Sequence, residues 1–169
     1  MTTLYLARHG ETVDNVNQIM QGQTQGRLTD NGIRQAEALR DEMASATIDA
    51  VISSDLKRAV DTATIIAKPH RLPVATTKLL RERDWGSFTG RHIPELKDEV
   101  WPDDIETIEQ LKQRAAEFIG MLRRDYAGKT VLAVGHGIIN KAIQAVHYGK
   151  AMHEIPRMEN AETRLLHIV

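Results

Sequence analysis

Short apolar runs, each ending abruptly in a polar or glycine-bearing cluster and followed by a helix-period pattern, most constrain this chain. Leu4-Tyr5-Leu6-Ala7 stops at Arg8-His9-Gly10, Ala50 to Ile52 stops at Ser53-Ser54, and Thr130 to Val134 stops at Gly135-His136-Gly137. Runs this short, rich in β-branched and aliphatic residues, read as strands buried on both faces. Between them lie helical stripes. Ile33, Ala36, Leu39 and Met43 follow an N-cap at Thr29; Leu56, Ala59, Val60, Ala63, Ile66 and Ala67 form a second stripe. From Ile105 onward, Ile108, Leu111, Ala115, Phe118, Ile119 and Leu122 mark the longest helix, closed by Gly128. Ile139, Ala142, Ile143 and Val146 mark the last. Val74 to Thr76 suggests another strand, and Thr163 to Val169 a final one at a sheet edge.

Strands alternating with helices predict an α/β fold: three α/β/α layers with a mostly parallel central sheet. A length of 169 residues suits one domain over 1–169 and allows burial of roughly two-thirds of the unfolded surface. Hydrophobic residues at 41% and charged residues at 27% fit a globular chain. The segment 83–104, with Gly86, Gly90, Pro94 and Pro102, is the least regular and reads as a short lid of loop and helix.

The composition also excludes some chemistry. With no cysteine, the chain has no disulfide, no thiolate nucleophile and no cysteine-bound zinc. A formal net charge of −1 gives no bulk attraction to nucleic acid or anionic membrane. No apolar run reaches the length of a membrane span, and the start lacks a secretion-signal pattern, so a cytoplasmic location is the expectation. His70, His92, His147, His153 and His167 have no compact metal spacing, and neither metal nor cofactor is expected.

In an open α/β sheet, ligands bind at the carboxyl ends of strands, beside helix N-termini. The three strand-end clusters would therefore converge, bringing Arg8, Arg58, His9 and His136 around a dianionic group such as phosphate. Guanidinium forks bind two phosphoryl oxygens together. A histidine beside each anchoring element suggests catalysis, because a neutral imidazole can attack phosphorus and neighbouring arginines favour its neutral form. Glu82, just before Trp85-Gly86, could protonate the leaving oxygen. The bland alternatives are an ion pair of Glu82 with Arg81 or Arg83, an exposed helical Arg58, and Ser53 and Ser54 as helix caps. Gly22 and Gly26 lack the Gly-Lys-Ser/Thr tail of a nucleotide loop. Trp85 and Phe88 read as core residues, one of which could line the pocket mouth, whereas Trp101 could reach a substrate.

Five ordered blocks give the sequence a family resemblance. They are Arg8-His9-Gly10-Glu11-Thr12 with Asn15; Gly22 through Leu28-Thr29, Gly32 and Gln35-Ala36; Ser53-Ser54-Asp55-Leu56 with Arg58-Ala59 and Thr62-Ala63; Leu80-Arg81-Glu82 with Gly86, Phe88 and Gly90; and Val134 with His136-Gly137. In this order the chain resembles the histidine phosphatase superfamily, the phosphoglycerate-mutase-like proteins. The resemblance implies His9 as a phosphorylated nucleophile and Glu82 as proton donor. It also implies Arg8, Arg58, His136 and Gly137 as phosphoryl-binding groups, Asn15 as a positioning residue and Glu11 in support. The implied activity is metal-independent hydrolysis of a phosphomonoester, small or protein-borne. A phosphoglycerate-type mutase and a non-catalytic phosphate or phosphoprotein binder are the alternatives. Departures include Gln25, Arg27, Thr89, Ile138 and Lys141, and Ile105-Glu106-Thr107 only approximates the family's Gly-Glu-Ser. The short stretch after Gly90 favours hydrolysis over mutase chemistry, which needs a covered intermediate. An exposed final strand would suit a homodimer.

Overall fold

The computed structural model describes residues 1–169, and its spine is one five-stranded sheet. The strands are β1 (Thr2–Arg8), β2 (Ala50–Ser54), β3 (Val74–Thr77), β4 (Thr130–Gly135) and β5 (Thr163–Ile168). Their spatial order is β3-β2-β4-β1-β5. β1, β2 and β3 run parallel to their neighbours in the set β3-β2-β4-β1, and β5 closes the edge antiparallel to β1. The helices are α1 (Val13–Val16), α2 (Asp30–Met43), α3 (Lys57–Ala67), α4 (Ile108–Asp125) and α5 (Gly137–Tyr148).

Period-two alternation along the strands divides the core. Val131 and Ala133 of β4 join Leu4, Leu6 and the inner faces of α4 and α5. Leu132 and Val134 turn the other way, to Ala7, Val51 and the inner faces of α2 and α3. The three-layer arrangement expected from the sequence follows directly. The register puts Arg8 opposite Gly135 and Ser53 opposite Val134, so the three strand-end clusters leave the sheet side by side.

Several local readings change. Ile33 is 39% exposed and lies off the buried face of α2, which consists of Gly32, Ala36, Leu39 and Met43. α4 starts at Ile108 rather than near Ile105, because Thr107 and Gln110 form a reciprocal capping box. It ends at Asp125, ahead of Gly128. Ser54 does not cap α3: Leu56 is the N-cap and has no side-chain cap bond. Segment 83–104 contains two single-turn 3₁₀ helices, Gly86–Phe88 and Ile93–Leu96, over a small cluster of Phe88, Leu96 and Ile105. Trp101 is 54% exposed and stacks edge-on against Trp85 at 5.4 Å.

The loop after β1 is pressed hard against α2. A Cβ at Gly32 would lie 2.0 Å from the Glu11 carbonyl oxygen, and one at Gly10 would lie 2.5 Å from the Gly32 oxygen. Glycine is required there by contact, not by backbone angle. Gly120 in α4 has nothing within 4 Å of the same position. Gly120→Ala is therefore expected to stabilise the chain by about 0.5–1 kcal/mol through helix propensity. Gly32→Ala is expected to destabilise it by about 1–3 kcal/mol despite the same propensity gain. Urea unfolding of the two variants checks this; equal and positive effects would contradict the close contact.

Candidate active site

At the carboxyl end of the parallel strands lies a cleft of about 340 Å³. Arg8, His9, Asn15, Arg58, Glu82 and Gly137 line it, so six of the seven residues expected to catalyse or to bind substrate share this one space. The seventh, His136, is fully buried beneath the lining, its ring 5.1 Å from that of His9 and inclined at 61°.

His9 is 2% exposed, and its Nδ1 donates to the Gly10 carbonyl at 2.7 Å. A carbonyl can only accept, so the proton belongs on Nδ1 and the lone pair on Nε2. Burial, then the charges of Arg58 and Arg8, hold the imidazole pKa down at about 3, against the opposing effect of the Gly10 hydrogen bond. His9 is neutral at physiological pH. His136 is pushed in the same direction, first by burial and then by Arg58, His9 and Arg8. Its Nε2 meets Ser54 Oγ at 2.8 Å, while Ser54 Oγ also accepts from the Leu56 N–H at 3.2 Å. The serine hydroxyl thus orients a histidine, which is why it is unavailable as a helix cap.

Arg58 is held by the backbone of the Gly22–Gln25 loop. Its guanidinium donates to the carbonyls of Gly22, at 2.8 Å, and of Thr24. A side chain at Gly26, where φ is +75°, would run into Arg58 Cδ at 2.8 Å, so glycine there lets the loop clasp the arginine. Arg8 donates to the Met158 carbonyl at 2.8 Å. Burial lowers both guanidinium pKa values, that of Arg58 to about 10, and both stay charged at neutral pH. Arg8 Nε, Arg58 Nε and His136 Nδ1 are buried without a hydrogen-bond partner. Each such group costs about 1–3 kcal/mol when left unsatisfied. All three belong to side chains around His9, and two unpaired guanidinium N–H groups have the geometry that suits an oxyanion.

Glu82 does not pair with either flanking arginine. Arg81 forks onto Asp55 with two 2.7 Å bonds, and Arg83 donates to the Glu106 carbonyl at 2.8 Å. The Glu82 carboxylate sits on the N-terminus of α5 instead. Oε1 accepts from the N–H groups of Arg83, Ile138 and Ile139 at 2.9–3.1 Å, whereas Oε2 receives only the shared Ile138 N–H at 3.1 Å. A Cβ on Gly137 would stand 3.5 Å from Arg8 Nε and 3.8 Å from Glu82 Oε2, so the freer oxygen and Arg8 face the same small volume. Arg114, bound to Glu106 and to the carbonyls of Leu79, Arg81 and Glu82, fixes this segment.

Asn15 Oδ1 is occupied by Thr12 N–H at 3.0 Å and Asn160 Nδ2 at 3.3 Å. Glu11 accepts from the Thr29 hydroxyl at 2.8 Å and so braces the start of α2. Sequence reasoning missed Arg157, which lines the cleft, and Asn160, which donates to the His9 carbonyl at 3.1 Å. Both lie in the irregular chain before β5, outside any motif. Trp101 is not part of the lining; Trp85 and Ile93 are. No cluster of three or more His, Asp or Glu side chains is arranged to hold a metal ion, and no helix is long and apolar enough to cross a membrane.

Comparison with known proteins gives the family. The family model of the histidine phosphatase superfamily (branch 1) matches residues 4–169, and the chain belongs to that superfamily. It is an enzyme of the histidine phosphatase type. The uncharacterized phosphatase PhoE of Bacillus subtilis (strain 168) is 34% identical over 166 residues, covering 95% of this chain and 86% of the relative. A probable phosphoglycerate mutase, GpmB, of Yersinia pestis (strain Pestoides F) is 31% identical over 172 residues, covering 94% and 80%. A mycobacterial glucosyl-3-phosphoglycerate phosphatase solved as a complex with VO3 has a TM-score of 0.90 at 25% identity, covering 98% of this chain and 92% of that one.

The depressed His9 pKa makes a stability statement. Between about pH 3 and pH 6.5 the unfolded histidine binds a proton that the folded one refuses, so stability rises with pH across that window and is lost as pH falls through it. The pH dependence of urea unfolding should accordingly be shallower in His9→Gln than in wild type over this range. Parallel curves would contradict a buried neutral His9.

Proposed function

We propose that the chain is a phosphomonoester hydrolase that works through a phosphohistidine at His9, without metal or cofactor. One observation carries the reading: a neutral imidazole with its free Nε2 lone pair stands between two buried guanidiniums that have unsatisfied N–H groups, with a carboxyl oxygen nearby. In the first step the Nε2 lone pair forms a bond to phosphorus and the ester P–O bond breaks. The leaving oxygen takes the proton of the Glu82 carboxylic acid, carried on Oε2. In the second step Glu82 takes a proton from water, the water oxygen bonds to phosphorus, and the N–P bond breaks with its electrons returning to Nε2. Arg8 and Arg58 neutralise the equatorial oxygens throughout. With the Ser54 hydroxyl donating to His136 Nε2, Nδ1–H of His136 becomes a further donor to the phosphoryl group. Gly137 keeps the space between Arg8 and Glu82 clear, and the Asn15 amide, its oxygen already engaged, offers N–H to the substrate.

The substrate is a phosphorylated molecule, small enough for the cleft or a side chain presented by a protein. Mutase chemistry, named for several relatives, requires the phosphoenzyme to be shielded while the intermediate turns. The short 83–104 segment brings only Trp85 and Ile93 to the cleft, little cover for such an intermediate, and this supports hydrolysis.

Phenyl phosphate hydrolysis with chelator present tests the proposal. Wild type should turn over, His9→Ala should fall to background, and Glu82→Gln should lose about 10²–10⁴-fold in kcat. Turnover that survives in His9→Ala, or that chelator abolishes in wild type, would overturn it.

A further inference from the structure

Glu82 stands between two arginines in the chain, and the structure diverts both from its carboxylate. Asp55 takes Arg81 with a fork of two hydrogen bonds. Arg83 is held differently. Its guanidinium carbon lies 4.7 Å from the centre of the Trp85 ring and 5.3 Å from that of Trp101, and its Nε donates to the Glu106 carbonyl at 2.8 Å. The side chain is buried, and cation–π contact is strongest where water is excluded. Trp101 is the exposed wall of this cage, set edge-on against Trp85 and Phe88. It arrives on a return limb stitched to the turn after Arg83: the Glu106 N–H donates to the Asp84 carbonyl at 2.9 Å, and the Ser87 hydroxyl donates to Asp104 at 2.6 Å.

Where a released Arg83 guanidinium would go follows from the carboxylates beside it. That of Glu106 is filled by the Arg114 fork and the Asp84 N–H. Glu82 Oε1 already accepts the Arg83 backbone N–H, whereas Oε2 receives only the shared Ile138 N–H. Two parallel bonds to a carboxylate outweigh a single bond to a carbonyl, so the Glu106 carbonyl alone would not keep the guanidinium away. An arginine on Oε2 would favour the ionised carboxylate and occupy the oxygen that has to carry the proton. We infer that Trp101 is a positioning residue: with Trp85 it cages the Arg83 guanidinium and so keeps Glu82 Oε2 free to protonate the leaving oxygen. This deepens the hydrolase reading and rests on it. Trp101 lies outside the cleft lining, and its effect runs through Arg83 to Glu82.

Leaving-group dependence in the intact chain tests the cage. Benzyl phosphate expels an alkoxide that has to be protonated, whereas 4-nitrophenyl phosphate, of similar size, expels a phenolate that does not. The kcat/KM values for the two esters are compared as a ratio within each protein, so the amount of folded enzyme cancels. Glu82→Gln sets the signature of a lost acid: a fall of about 10²–10⁴-fold on benzyl phosphate and a much smaller one on 4-nitrophenyl phosphate. Trp101→Ala should show a weaker form of it, the benzyl-to-nitrophenyl ratio falling about tenfold. Trp101→Phe, which keeps an aromatic wall, should stay within about twofold of wild type. Arg83→Met introduced into Trp101→Ala should restore the ratio, because no guanidinium is left to take Oε2. An unchanged ratio in Trp101→Ala, a Trp101→Phe ratio equally low, or a loss that Arg83→Met fails to repair overturns the cage and leaves the hydrolase reading standing. An unselective loss in Glu82→Gln overturns the proton-donor role of Glu82 and the cage with it. Absence of turnover of both esters by wild type overturns the hydrolase reading itself and everything that rests on it.

Discussion

Parallel pairing of β1 with β4, with Arg8 opposite Gly135, is the constraint on which the rest of the molecule depends. Parallel neighbours release their chains at the same edge, so Arg8-His9-Gly10 and Gly135-His136-Gly137 emerge together, and β2 adds Ser53-Ser54 and the start of α3. A one-residue slip would reverse every side chain on β1, exchanging Leu4 and Leu6 for Tyr5 and Ala7 in the core beneath α4 and α5. The same hydrophobic alternation that stabilises the sheet therefore sets the geometry of the site.

That geometry concentrates positive charge where water is scarce. Two buried arginines next to two buried histidines are unfavourable for folding: the guanidiniums lose solvation and the imidazoles are prevented from protonating. Loop carbonyls from Gly22, Thr24 and Met158 offset part of this cost. The remaining unpaired N–H groups of Arg8 and Arg58 suit an oxyanion, which would meet donors already in place. Glu82 completes it from a position fixed on the α5 N-terminus, held by Arg114 from behind.

Much of this was legible in the sequence, and for physical reasons. Buried strands and amphipathic helices have periods that survive in one dimension, and strand-end clusters in a parallel sheet must converge. Apolar Ile105 extends the helical pattern beyond the true start of α4, which the Thr107 and Gln110 spacing marks as a capping signal. Ile33 fell on the helical stripe by spacing but lies at its exposed margin. Glu82 is a candidate from its place before Trp85-Gly86 and again from the resemblance, but only its three backbone donors separate it from a surface ion-pairing residue. Arg157 and Asn160 reach the site by tertiary packing of an irregular segment, which has no period to read. Ser54 shows the limit of residue-type reasoning: a serine before a helix looks like a cap, yet its hydroxyl is committed to His136.

Direct capture of the covalent intermediate tests the central claim, that neutral His9 is the nucleophile. Wild-type protein would be mixed with phenyl phosphate, quenched in alkali within the first turnover, digested and read by mass spectrometry. The account predicts one phosphoryl group on the peptide that contains His9, stable to alkali and lost in acid. A phosphoryl group on any other residue, or burst-phase release of phenol and phosphate together with no phosphorylated peptide, would contradict it.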